Sequence, residues 1–181
     1  HTYGWRAQLT PYASQDTVLT MGRFWKILKD TGFGGTEVQV TEWGIEPTGD
    51  ASGPYYWFRK THYAPVWMAR LVKQADDAAA TYKDELGARI DGLSICQFGG
   101  RGGTPFPGNR TLVTTGGVPK PYYNGYVILS QLGGERLVVD GPASQDIACM
   151  ATRRDDGSLA ILVFHFKEYQ RTSPPDQDTV F

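Results

Sequence analysis

The stretch from Glu37 to Gly44, Glu-Val-Gln-Val-Thr-Glu-Trp-Gly, constrains the fold of this chain more than any other. Its valines, Val38 and Val40, alternate with polar residues at the period of a β-strand, and β-branched residues favour a pleated surface. The same alternation predicts that Glu42 lies on the face of the valines. A carboxylate there is costly to bury unless it is paired or used, so we expect a strand that delivers a functional carboxylate. The alternative is a glutamate that is exposed to water or paired with an arginine.

Helical and strand-like segments alternate around this stretch. Such a succession requires crossover connections and parallel strands, and a barrel of strands and helices builds its active site from the polar and aromatic residues that follow each strand. The fold class that this alternation predicts is therefore α/β, with the pattern of a (β/α) barrel. The predicted segments are a strand end at 1–4, a helix from Asp16 or Thr17 to Asp30, a strand at 37–43, a helix at about 58–81, a strand at 91–98 and a helix from Pro121 to Leu132.

Apolar residues at helical spacing predict which faces of the first two helices are buried. On the second helix, Pro65 must lie in the first turn or kink the helix. The first stripe comprises Val18, Met21, Trp25 and Leu28, with Phe24 and Ile27 beside it; the second comprises Ala64, Trp67, Met68, Leu71, Val72 and Ala75.

The pattern changes near Glu135, where strand-like segments follow one another without helices. We predict strands at 137–140, 146–152 and 158–166, and the Asp-Gly pair at 156–157 is a strong hairpin signal between the last two. These strands predict a second, β-rich unit of antiparallel strands. The expected domains are 1–134, with the barrel pattern, and 135–169, the β-rich unit, with 170–181 a tail or a truncation point. The 181 residues are short for a barrel, which needs roughly 250.

Composition excludes several classes of function. The net charge is -1, so no basic surface is expected to attract nucleic acid or an anionic membrane. The glycine-rich loop 99–110 lacks the Lys-Ser/Thr ending of a phosphate-binding loop, and the two cysteines lack metal-ligand spacing, so we expect neither cofactor nor metal. Aromatic residues make up 13% of the chain and many fall in Gly/Pro-rich loops, which suits a site that grips a ring-shaped polar ligand.

Four motifs in this order resemble the retaining glycoside hydrolases of clan A, and most closely family 39, the β-xylosidase and α-L-iduronidase family. They extend across residues 1 to about 166. The motifs are His-Thr-Tyr at 1–3, Val-Thr-Glu-Trp at 40–43, the strand at 94–98, and Gly-Val-Pro-Lys-Pro-Tyr-Tyr at 117–123 leading to 129–133.

The resemblance implies that residues 1–134 are the carboxyl-terminal part of a (β/α)8 barrel, a partial barrel of its last strands and helices, and that residues 135–169 start an antiparallel β-sandwich. It implies that Glu42 ends barrel strand seven as the catalytic nucleophile and that Tyr3, at the end of strand six, orients it. It also implies a sugar or glycoside substrate contacted by His1, by Trp43, and by the strand-eight residues Gln97 and Phe98. Retaining hydrolysis needs a second carboxyl group about 5 Å from the first. In the family that group follows an asparagine, and the chain contains no Asn-Glu pair. The expectation is therefore a fragment that carries the nucleophile and is inactive alone.

One departure from the family pattern concerns Cys96, which stands where the family has a tryptophan that floors the sugar subsite. Phe98 is the residue that could take over the stacking. Two other functions stay open at this point. The first is a carbohydrate-binding or scaffold protein without chemistry, and the second is another clan A glycosidase, such as a glucanase or a mannanase, which shares the nucleophile.

Overall fold

The structure is a computed structural model that describes residues 2–3, 14–44, 61–95, 111–114, 116–141 and 146–166. Over these residues the chain is mixed α/β with two small three-stranded sheets. Its elements are β1 (Thr2–Tyr3), α1 (Ser14–Asp30), β2 (Gln39–Gly44), α2 (Tyr63–Leu86), β3 (Gly92–Ile95), α3 (Pro121–Leu129), β4 (Glu135–Leu137), β5 (Ile147–Arg153) and β6 (Leu159–His165).

The first sheet is parallel, with β2 between β1 and β3. Thr2 pairs with Trp43, and Gln39 and Val40 pair with Gly92 and Leu93. The helices α1 and α2 connect these strands in sequence, as the alternation of segments predicted. The predicted parallel arrangement of these strands is therefore confirmed for the described part of the chain.

Both long helices bury most of the described residues of the predicted stripes in one core with this sheet, and the side chain of Val18 lies outside the described residues. On α1, Met21 and Trp25 are buried, and the Trp25 indole Nε1 donates to the carbonyl oxygen of Arg89 at 3.2 Å. Phe24 and Ile27, which were predicted beside this stripe, are 45% and 58% exposed. On α2 the buried residues include Ala64, Trp67, Met68, Leu71 and Ala75.

Glycine and proline define the ends of the helices. The turn after α1 contains Gly32 at φ 86°, and α2 ends at Gly87 at φ 66°, where a side chain would meet the backbone nitrogen of Gly35 at 2.5 Å. Pro65 lies in the first turn of α2 and Pro121 opens α3, as predicted. The α2 helix extends to Leu86 instead of ending near residue 81.

The second sheet is antiparallel, in the order β4-β5-β6. The predicted Asp-Gly turn joins β5 to β6: Gly157 has φ 81°, and the Arg154 N–H donates to the Ser158 carbonyl at 2.9 Å. The first strand was predicted at 137–140, but it spans Glu135–Leu137, and Val138 is 90% exposed. Val138 and Val139 have the apolar, β-branched side chains that favour strands, but β-propensity alone does not decide which residues pair.

The antiparallel sheet packs on α2 through aromatic residues at its end. Phe164 and Phe166 belong to the same buried cluster as the residues of α2. The Arg70 guanidinium carbon lies 4.8 Å from the centre of the Phe166 ring, and the Tyr63 and Phe166 ring centres are 5.1 Å apart. The α2 helix is therefore covered by the parallel sheet and by β6. In the described part of the chain, no helix has the length and apolarity needed to cross a membrane.

Candidate functional site

The carboxyl ends of β1, β2 and β3 meet at one edge of the parallel sheet, which we call the carboxyl edge. Trp43 of β2 pairs with Thr2 on one side and with Ile95 on the other, so one row of residues crosses all three strands there. Ligands in parallel α/β sheets bind outside this end of the strands. The carboxyl edge is therefore the candidate site.

Glu42 lies at the carboxyl edge, at intermediate exposure between the exposed Thr41 and the buried Trp43. The register between β2 and β3 shifts here: Val40 pairs with Leu93, but Trp43 pairs with Ile95. Three steps along β2 therefore match two along β3, which is the signature of a bulge. Regular alternation, on which the prediction for Glu42 rested, contains no such extra residue. Because of it, Trp43 instead of Glu42 continues the buried row of valines.

Trp43 is 2% exposed and its ring stacks on Trp67 of α2, with ring centres 5.5 Å apart and an interplanar angle of 25°. Among the described residues, no acceptor lies within hydrogen-bond distance of its indole Nε1. Such an unpartnered donor is costly to bury. The burial of Trp43 and its stack on Trp67 show that this side chain has a packing role. Its predicted contact with a sugar stays a prediction. The alternation of residues in the sequence did not reveal the stack with Trp67.

Tyr3 pairs through its backbone with Gly44, which lies two residues beyond Glu42 on the neighbouring strand. The register therefore brings the backbone of Tyr3 beside the end of the strand that carries Glu42. The other predicted contacts, His1, Gln97 and Phe98, lie outside the described residues, as does Cys96.

The segment that leads into α3 carries a buried lysine that sequence reasoning did not single out. Lys120 is 1% exposed, and its Nζ donates to the Thr111 hydroxyl. Its backbone N–H donates to the Leu112 carbonyl at 2.9 Å, and Thr114 N–H donates to the Val118 carbonyl at 2.9 Å. These bonds fix the end of the long connection between β3 and α3. A lysine is rarely buried without pairing, and the Pro-Lys-Pro sequence was the only available signal.

A cavity of about 390 Å³ lies between α2, α3, the start of β3 and the second sheet. Trp43, Met68, Leu93 and Tyr126 are among the residues that border it. Space therefore exists next to the Trp43 ring. No group of three or more potential metal-ligating side chains is found in the parts of the chain that the structure describes.

At the opposite end of the sheet, Asp91 joins the starts of β2 and β3. Its Oδ2 accepts from the Val38 N–H at 2.8 Å, while its own N–H donates to the Val38 carbonyl at 2.8 Å. The carboxylate also accepts from the Arg89 Nε at 2.9 Å. The hydrogen bond from Arg89, and after it the one from Val38, hold the pKa of Asp91 below its ordinary value.

The lowered pKa of Asp91 predicts a pH dependence of stability. The charged carboxylate stabilises the fold fully above the ordinary aspartate pKa of about 4, and this contribution is lost as the pH falls through the lowered pKa. The Asp91→Asn variant should therefore be less stable than the wild type near neutral pH, and the difference should shrink in acid. Urea unfolding of both proteins across this range measures it. A difference that does not depend on pH would contradict the role of the charge.

Comparison with known proteins gives matches among solved structures. No protein-family model and no curated protein matches the chain. The structure of a GH39 β-xylosidase from Caulobacter crescentus is similar with a TM-score of 0.58 at 20% identity, covering 86% of this chain and 30% of that chain. The structure of a monomeric β-xylosidase from Caulobacter crescentus CB15 is similar with a TM-score of 0.64 at 18% identity, covering 89% of this chain and 29% of that chain.

These likenesses concern the fold. The chain spans about 30% of the length of the two β-xylosidase structures. Over 86% and 89% of its length, the chain therefore has a fold similar to part of each of these two structures, as the motif resemblance implied.

Proposed function

We propose that the chain is part of a retaining, β-xylosidase-like glycosidase, and that it carries the nucleophile of that enzyme. The observation that carries the proposal is the position of Glu42 at the carboxyl edge, in a chain whose fold is like that of part of two β-xylosidases. The parallel sheet would supply the last strands of a (β/α)8 barrel, with residues 1–134 as the barrel part. The substrate would be an oligosaccharide or a glycoside.

The proposed mechanism assigns attack on the anomeric carbon to the Glu42 carboxylate. The bond to the leaving-group oxygen breaks as a glycosyl-enzyme ester forms, and a second carboxyl group donates the proton that the leaving oxygen takes. That second group would then accept a proton from the water that hydrolyses the ester. It belongs to a part of the enzyme outside this chain, so the 181 residues alone should hydrolyse no glycoside.

Tyr3 would support the nucleophile. Its register beside the end of β2 is compatible with a tyrosine hydroxyl that donates to the Glu42 carboxylate. Such a hydrogen bond favours the ionised form, lowers its pKa and fixes its orientation. His1, Gln97 and Phe98 would contact the sugar ring, with Phe98 as the stacking residue.

The reaction proposed here has a direct test in the full-length polypeptide. We expect the full-length protein to release the aglycone from an aryl β-xyloside. Proton NMR from the first turnover should show a product with the anomeric configuration of the substrate. Inversion would overturn the retaining mechanism. Binding of xylo-oligosaccharides without hydrolysis would favour the carbohydrate-binding alternative.

The second sheet would begin a β-sandwich, residues 135–169. The supporting observation is the apolar run of β6, which has Phe164 on its buried face, while Leu159, Ile161 and Val163 on the other face are at least 60% exposed. A strand that is apolar on both faces is typical of a sheet covered on both sides, and a sandwich packs two sheets about 10 Å apart.

Substitution of Ile161 tests the proposed sandwich. If a second sheet covers this face in the full-length protein, Ile161→Ala should lower the free energy of unfolding by about 2 kcal/mol or more, because a buried side chain is truncated. If the face is exposed, the change should stay within about 0.5 kcal/mol. Asp155→Ala, in the exposed turn between β5 and β6, is the control that should change little.

A further inference from the structure

We propose that Trp67 of α2 is a positioning residue for the Glu42 carboxylate, acting through the ring of Trp43 and the irregular register of β2. The inference rests on the function proposed above, because it concerns the presentation of the proposed nucleophile. Trp67 lies on a helix and has no place among the residues predicted to contact the substrate.

The register of β2 decides which residue enters the core. A regular strand that buries Val38 and Val40 would bury position 42 next, so the carboxylate would point at α2. The bulge between Val40 and Trp43 shifts this pattern by one residue. Trp43 enters the core instead, and Glu42 stays at intermediate exposure at the carboxyl edge.

The stack of two indoles favours the shifted register. Trp67 is 0% exposed, and its ring lies 5.5 Å from that of Trp43 at an interplanar angle of 25°, which is offset-stacking geometry. The regular register would remove Trp43 from this contact and put a carboxylate in its place. Burial of a carboxylate against apolar side chains is unfavourable, so both effects act in the same direction.

Trp67 itself is held in place by the packing of α2. The preceding turn of α2 buries Ala64, and the start of the helix packs closely on α3: a side chain at Gly125 would lie 2.9 Å from Pro65 Cβ and 3.1 Å from Met68 Sδ. The Trp67 ring therefore has a fixed position, and the Trp43 ring packs on it. Trp43 also borders the cavity, so its side chain has room to shift when the Trp67 ring is truncated.

Truncation of Trp67 in the full-length protein tests the inference. In Trp67→Ala, Trp43 loses its stacking partner and the end of β2 loses its fixed register, so kcat should fall by about 100-fold with little change in KM, because small displacements of a reacting group carry such costs. The acidic limb of the pH profile of kcat/KM should move to higher pH, since the carboxylate samples a more buried position. Trp67→Phe, which keeps an aromatic ring, should restore most of both properties.

A control on the same helix separates positioning from loss of stability. Leu71 is 1% exposed and lies one turn from Trp67. Leu71→Ala should lower the unfolding temperature and leave the pH profile and kcat within about threefold of the wild type, as truncation in the core away from the chemistry does. Hydrogen exchange in the peptide that covers residues 39–44 should rise in Trp67→Ala and stay unchanged in Leu71→Ala.

The outcomes distinguish this inference from the proposed function. If the full-length protein hydrolyses glycosides and Trp67→Ala matches Leu71→Ala in kcat, pH profile and exchange, the positioning role is overturned while the proposed function stands. If the wild type hydrolyses no glycoside, the proposed function fails. In that case hydrogen exchange still tests whether Trp67 holds the register of β2. Unchanged exchange at residues 39–44 in Trp67→Ala would overturn this role as well.

Discussion

Glu42→Gln should abolish turnover in the full-length protein, with kcat lower by about a millionfold, the order of loss seen when an enzyme loses its nucleophile. The amide has nearly the same shape as the carboxylate but cannot form the glycosyl-enzyme ester. Because Glu42 is only partly buried, the substitution should leave the unfolding temperature nearly unchanged. Steady-state kinetics and thermal unfolding of the same preparation measure both properties.

A second glutamate in the same stretch provides the matched control. Glu37 is exposed before the start of β2, and its Oε1 accepts from the Gln39 Nε2 at 2.8 Å. Glu37→Gln removes the same charge about five residues from Glu42 and should leave kcat within about twofold, as surface substitutions usually do. Equal losses in the two variants, or full activity in Glu42→Gln, would contradict the assignment of the nucleophile.

Gly133→Ala should destabilise the junction between α3 and the second sheet by about 3 kcal/mol. A side-chain carbon at this position would lie 2.1 Å from the Arg153 carbonyl oxygen and 2.6 Å from the Arg154 nitrogen, which are backbone atoms that cannot move aside. The Gly133 N–H also donates to the Thr152 hydroxyl at 2.7 Å, so a shift of the chain breaks a hydrogen bond. Urea unfolding of the full-length protein measures the loss.

The next residue offers the control for this prediction. Gly134 has no atom within 4 Å of an added side-chain carbon, and its backbone is not in the left-handed region. Gly134→Ala should therefore be neutral or slightly stabilising, by up to about 1 kcal/mol, because it reduces the conformational entropy of the unfolded chain. If both variants unfold alike, the close approach of Gly133 to β5 is wrong.

Local signals in the sequence predicted much of the fold. Pro121 fixes the backbone at the first position of α3, and Gly157 supplies the positive φ of the turn between β5 and β6, so each acts where it stands in the chain. The buried stripe of α2 followed from its helical period alone. These features depend on residues close in sequence, which is why they could be read without the structure.

Features that depend on distant residues could not be predicted. The bulge in β2 arises from pairing with β3, and the burial of Trp43 depends on Trp67, which is on another element. Likewise Phe24 and Ile27 have the spacing of the stripe's flank, but both stay exposed in the described part of the chain. The position of Glu42 near the end of β2 was predicted, whereas the bulge that puts Trp43 instead of Glu42 in the core was not.

The most direct test of the central claim is covalent labelling of the full-length protein with a 2-deoxy-2-fluoro glycoside that carries a good leaving group, followed by proteolysis and mass spectrometry. A fluorine at this position slows hydrolysis of the glycosyl-enzyme ester, so the nucleophile stays labelled. We predict a single modified peptide, with the sugar attached to Glu42. Attachment to any other residue would contradict the account.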